Sequence, residues 1–192
     1  MTAPVTEAPP PVHGAPASTS AGEAAAGAPR YCTFVQPAHP LVAEVFPPAS
    51  RRGDPVAAAL AALGRECAYR SRPGRRSFDQ LLAARRAGEA RLEINCIDLV
   101  CLLVSCLRAA GAGDDRAWVA LAGVRGFVHH HAWALVRRGE RFLWIDPAVL
   151  EPVERAGGEI LAGHDLYVVF NDRRLYFTAG EKRSLLGAGG PP

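Results

Sequence analysis

The chain has 192 residues, 49% of them hydrophobic and 21% charged, with a formal net charge of +3. That suits one globular domain with its own core. The excess charge comes from dispersed arginines without a basic stripe or interleaved aromatics, so no nucleic acid is expected as partner; no apolar run is long enough to cross a bilayer, so no membrane is expected either.

Residues 1–30 are rich in Ala, Pro, Ser, Thr and Gly, can bury almost nothing, and are expected to be a disordered tail. They lack the basic and apolar regions of a secretory signal. Residues 31–185 are expected to form a single domain, and 186–192 a flexible C-terminal tail. The first part of the domain, "YCTFVQPAHPLVAEVFPP" (31–48), is apolar but interrupted by prolines, which predicts an extended arm around the core.

"GDPVAAALAALGRECAYR" (53–70) predicts a helix, with Asp54 as N-cap and Pro55 at the first helical position. "SFDQLLAARRAG" (77–88) predicts another, with a Ser77–Gln80 capping box and a stop at Gly88. The central element is "NCIDLVCLLVSCLRAAG" (95–111), capped by Asn95 and ended by Gly111 and Gly113. It is apolar nearly all round, so it predicts a buried helix.

Strands follow. "RAWVALAGV" (116–124) predicts the first; "HHHAWALVRRGERFLWIDPA" (129–148) predicts a hairpin around Arg138-Gly139; "DLYVVFNDRRLYF" (165–177) predicts another, turning near Asn171-Asp172. Helices first and antiparallel strands after predict an α+β fold with the buried helix packed on a sheet.

Cysteines stand at 32, 67, 96, 101 and 106, an odd number without a CxxC pair. This argues against a disulfide framework or a zinc ribbon and for reduced thiols in a cytoplasmic setting. Cys96 falls in the first turn of the buried helix, where free N–H groups and the positive end of the dipole favour a thiolate. Cys101 and Cys106 lie deeper, about 140° and 80° around the helix, and are read as core residues.

A hairpin centred on Arg138-Gly139 would pair residues summing to 277, setting Arg137 opposite Glu140, Trp133 opposite Trp144 and His131 opposite Asp146. Opposed Cβ atoms lie about 4.5–5.5 Å apart, within hydrogen-bonding reach of an imidazole and a carboxylate. That supplies a base and its orienter for a thiol nucleophile. A plain cross-strand His–Asp pair is the alternative.

"NCIDLVCLLVSCLRAAG", a strand, "HAW" and "WIDPA", in that order, resemble the transglutaminase-like core of the papain-type cysteine-protease superfamily. The resemblance spans roughly 55–150 and includes Tyr69 ahead of the helix. It implies a papain/transglutaminase-like fold with Cys96 as nucleophile, His131 as general base and acid, and Asp146 as orienter. Asp98 matches the acid after the nucleophile and is read as capping the helix. The papain-type oxyanion glutamine is missing, since Ala90 stands six residues before the cysteine. The Cys96 N–H is one donor; Gln80, Asn95 and Tyr69 are candidates for the second.

Trp133, Trp144 and His129 are candidate substrate-binding residues. Cys96, His129, His131 and Asp146 could gather a zinc, but the helix dipole and the His–Asp pair account for most of this set without one, so no metal or cofactor is called for. His129 and His130 are read as lining the strand or rimming the cleft. The expected chemistry is acyl transfer from a peptide or protein substrate through a thioester, to water or to an amine. A binding module that keeps the fold without the activity is the remaining alternative.

Overall fold

The computed structural model describes residues 30–71, 74–124 and 130–187. Residues 1–29 of the expected N-terminal tail, 188–192 of the expected C-terminal tail, and His129 lie outside the described residues.

The proline-broken segment is not an extended arm. Pro40 takes the first position of a short helix, α1 (Pro40–Val45), and the His39 ring caps it by accepting the Leu41 N–H at 3.1 Å. Proline breaks a helix interior but fits its first turn, where the missing N–H has no partner in any case. A 3-10 turn (Pro48–Arg51) leads to α2 (Pro55–Glu66), begun by Asp54 and Pro55 as expected. The helix stops earlier than its composition predicts. Cys67–Tyr69 is a strand, β1, parallel to β2 (Leu92–Ile94), with Tyr69 opposite Ile94. Between them α3 (Phe78–Arg86) carries the reciprocal Ser77–Gln80 capping box.

Helix α4 (Cys96–Ala109) is buried continuously from Asp98 to Leu107. It packs on the middle of an antiparallel sheet formed by β3 (Ala117–Val124), β4 (His130–Arg138), β5 (Arg141–Ile145), β6 (Pro152–Arg155), β7 (His164–Phe170) and β8 (Leu175–Tyr176), in the order β6-β5-β4-β3-β7-β8. Val119, Ala134, Val136 and Ile145 face the α4 side. Trp118, Leu135, Phe142 and Trp144 face the other side, with Ile160 of α5 (Gly157–Gly163) and Leu185 of α6 (Ala179–Leu185). Leu186, just beyond α6, is buried in the same cluster. The class is α+β, as expected, with a sheet between α4 and a thinner second layer.

The β4–β5 hairpin turns on Gly139 and Glu140, with Arg138 paired to Arg141 and Leu135 to Trp144. The expected register is thus displaced by two residues, and neither Trp133 and Trp144 nor His131 and Asp146 are directly opposed. The reason is the glycine: Gly139 has φ +64°, the first central position of a type II′ turn, which glycine fills without a Cβ clash. A slip of two, unlike a slip of one, keeps every side chain on its face of the sheet.

Among the described residues, no helix is long and apolar enough to cross a membrane.

Candidate active site

The site lies at one end of the large sheet, where β4 begins and β5 ends, against the first turn of α4. Asn95 caps that turn by accepting the Asp98 N–H at 3.0 Å, and its amide donates to the Gly74 carbonyl at 2.6 Å. Asp98 does not cap the helix as expected. Its buried carboxylate, 1% exposed, holds the preceding loop, pairing with Arg75 Nε and accepting the Arg76 backbone N–H, each at 2.7 Å. Arg75 in turn covers the Phe34 ring, and Arg76 pairs with Glu89. This network pins the start of α4 to the chain before it.

Cys96 is the first residue of α4 and is half-buried. Burial opposes ionisation of its thiol. The His131 ring, by hydrogen bond and by charge, outweighs that together with the Ala132 and Ile97 backbone N–H groups, and the pKa falls below its ordinary value. The other four thiols are shifted the opposite way: burial raises Cys32, raises Cys67 and Cys101 to about 12, and raises Cys106 furthest. All five cysteines are free. Of the five, Cys96 alone is shifted toward the thiolate.

His131 Nε2 stands 3.2 Å from Asp146 Oδ1, which leaves Nδ1 for the thiol. Burial lowers the imidazole pKa, but the hydrogen bonds and charges of Asp146 and Cys96 prevail and raise it to about 9. Asp146 is shifted down: burial works against ionisation, while His131, the Ala148 N–H at 2.8 Å and the Trp133 indole stabilise the carboxylate. Relative to the free groups, the lowered thiol and the raised imidazole both favour a thiolate–imidazolium pair backed by a carboxylate.

Of the expected substrate-binding residues, Trp133 and Trp144 are 4% and 5% exposed. Their rings stack at 5.1 Å, His164 packs on both, and Trp133 reaches Asp146. Their edges line a hollow of about 340 Å³ with Asp146, Val149, Val153 and His164. His130 is exposed and its ring lies 5.1 Å from that of Tyr167.

The oxyanion candidates separate. Gln80 accepts the Ser77 N–H in its capping box, and both ends of the Asn95 amide are engaged. Tyr69, on β1, is the remaining one. Its hydroxyl is raised in pKa first by burial and then by the negative charges of Cys96 and Asp146, with Ser71 opposing through a hydrogen bond. It therefore stands within the field of both groups. Trp133 as a donor to Asp146, and Tyr167 beside Cys96, were not foreseen; neither follows from sequence spacing. Among the described residues, no group of His, Cys, Asp and Glu is arranged to hold a metal ion.

No protein-family model matches the sequence, and no curated protein matches it. In three dimensions the chain is similar to Legionella pneumophila LapG, with 15% identity and a TM-score of 0.51 over 81% of this chain and 90% of that one. It is likewise similar to the calcium-bound form of that protein, with 13% identity and a TM-score of 0.51 over 83% of this chain and 98% of the other. At these identities the likeness establishes the papain/transglutaminase-like fold.

Proposed function

We propose that the protein is a thiol-dependent acyl-transfer enzyme that hydrolyses a peptide or amide bond, with Cys96, His131 and Asp146 as its triad. The observation that carries this reading is the His131–Asp146 contact at 3.2 Å, combined with the opposite pKa shifts that the Cys96 thiol and the His131 imidazole impose on each other. The shared fold adds support, since LapG is a transglutaminase-like cysteine protease.

The Cys96 thiolate attacks the substrate carbonyl carbon and forms a C–S bond. Negative charge collects on the carbonyl oxygen, where the Cys96 N–H, which has no partner within its own helix at the start of α4, and the Tyr69 hydroxyl are the proposed donors. As the C–N bond breaks, the His131 imidazolium gives its proton to the departing amine, leaving a thioester. Water then attacks that thioester with neutral His131 taking a proton. The carboxylic acid leaves and the thiolate returns. Asp146 holds the ring with Nδ1 toward sulfur and stabilises its charged form.

The test is mass spectrometry of the protein exposed to peptides, glutamine amides and an activated acyl ester, with and without an added amine. An acyl adduct on Cys96 that resolves to free acid supports hydrolysis, while an amine adduct of the product identifies a transferase instead. Absence of any acyl adduct on Cys96, even from the activated ester, overturns the acyl-transfer reading.

A further inference from the structure

Beside Cys96 is a second hollow, of about 260 Å³, on the side of His131 away from Asp146. Ile97 of α4, Leu121 of β3 and Tyr167 of β7 line it together with Cys96, His130 and His131. It is too small for a drug-sized ligand, whose pockets run from about 300 Å³ upward, and its described walls are almost wholly apolar.

Tyr167 reaches this position through a specific device. The β3–β7 ladder pairs Leu121 with Val168 but Ala122 with Leu166, so Tyr167 is a bulge residue without a partner. The bulge also reverses the alternation along β7: Leu166 packs in the tryptophan cluster, whereas Val168 and Phe170 pack on the α4 side. Lys182 of α6, itself 8% exposed, donates its ammonium to the Leu166 carbonyl and, at 3.1 Å, to the Tyr167 carbonyl. A buried ammonium is costly unless it is hydrogen-bonded, so Lys182 and the bulged carbonyls hold one another in place. The phenol then lies across Gly123, where an added Cβ would stand 2.5 Å from its oxygen. Tyr167 stays 44% exposed, one of the few large hydrophobic side chains that do.

We infer that this hollow receives an apolar side chain on the acyl side of the scissile bond, and that Tyr167, positioned by Lys182 and admitted by Gly123, determines that preference. The inference rests on Cys96 being the nucleophile. The strand order sets Trp144 of β5 and Asp146, just beyond it, on one side of the β4 strand that carries His131, and β3 and β7 on the other, which is the side assigned here to the acyl half of the substrate.

Peptidyl chloromethyl ketones test it, because the Cys96 thiolate displaces chloride and forms a C–S bond whether or not a natural substrate is known. Their reaction rates, with Leu, Met, Gly, Asp or Lys next to the ketone, are divided by each variant's own iodoacetamide rate at Cys96. The expected result is a preference for Leu and Met over Gly, Asp and Lys of about tenfold or more, within the range for apolar side chains in a fitted pocket. Tyr167→Ala and Lys182→Met each reduce it to less than about threefold, and Tyr167→Phe keeps it. Lys182→Met also carries a folding check by circular dichroism; the Tyr167 variants decide the matter if it does not fold. Equal rates for all five ketones, a preference for Asp or Lys, or a preference unchanged in Tyr167→Ala overturns the inference while leaving the nucleophile in place. No reaction at Cys96 with iodoacetamide removes the nucleophile and the inference together.

Discussion

His131 and Asp146 meet on a diagonal of the β4–β5 hairpin, Nε2 to Oδ1 at 3.2 Å, with Asp146 one residue beyond the last paired position, Ile145. Directly opposed side chains would be closer at Cβ, but diagonal ones remain within reach. The contact does not depend on the ladder alone. The Ala148 N–H holds the same carboxylate at 2.8 Å, and the Trp133 indole adds to its stabilisation.

The pH dependence of the proposed activity follows from this pair. His131 titrates near 9, and its acid form, needed by the departing amine, is lost as pH rises through that value. Cys96 is depressed below its ordinary value, and its thiolate is lost as pH falls through the lowered pKa. Activity should form a bell whose basic limb lies near pH 9. Asp146→Asn removes the charge that favours the imidazolium. The basic limb should move down toward the ordinary histidine value of 6.5 and the acidic limb up, narrowing the bell. A pH–kcat/KM profile of both proteins checks this; unmoved limbs contradict it.

Asp98 has no proposed part in the chemistry, yet its replacement should be among the most damaging. Asp98→Ala leaves Arg75 and the Arg76 N–H without their buried partner. Arg75 is 32% exposed and regains water, which tempers the loss. A cost of about 2–4 kcal/mol is expected, or roughly 5–15 °C in Tm. Thermal and denaturant unfolding measure it; a change within about 0.5 kcal/mol would mean that the loop holds α4 by other means.

Tyr69→Phe deletes one hydroxyl that lies within the field of Cys96 and keeps the ring on β1. If that hydroxyl is the second oxyanion donor, kcat falls on the order of 100-fold or more while KM moves little, because the bond strengthens only as charge develops. A drop in kcat of less than about threefold would return the search to backbone donors.

Features specified within a few residues were legible in the sequence. The Asp54–Pro55 start, the Ser77–Gln80 box and the Asn95 cap all use partners within three positions, and the apolar girth of α4 announces its burial. Cys96, His131 and Asp146 were also legible as a set, though for a reason that needed correction. The expected Arg137–Glu140 pair at the turn does not form; Glu140 is in the turn, and Arg141 pairs with Glu154 on β6. Strand β6 begins at a proline and was not foreseen, nor were the three-residue strands β1 and β2. Such short or edge elements rely on distant partners more than on their own pattern. The Asp98–Arg75 pair and the Gly123–Tyr167–Lys182 arrangement are still less local, since each joins residues far apart in the chain whose types carry no mutual signal.

The most direct test of the account is the rate of iodoacetamide alkylation at each cysteine as a function of pH, read by mass spectrometry in the native protein and in His131→Ala. Cys32 is the internal reference, being also partly exposed but shifted upward by burial and Asp172. Cys96 is expected to react fastest near neutral pH, with a midpoint below the ordinary thiol value of 9.0, and His131→Ala to raise that midpoint. Cys96 reacting no faster than Cys32, or a midpoint indifferent to the loss of His131, would contradict it.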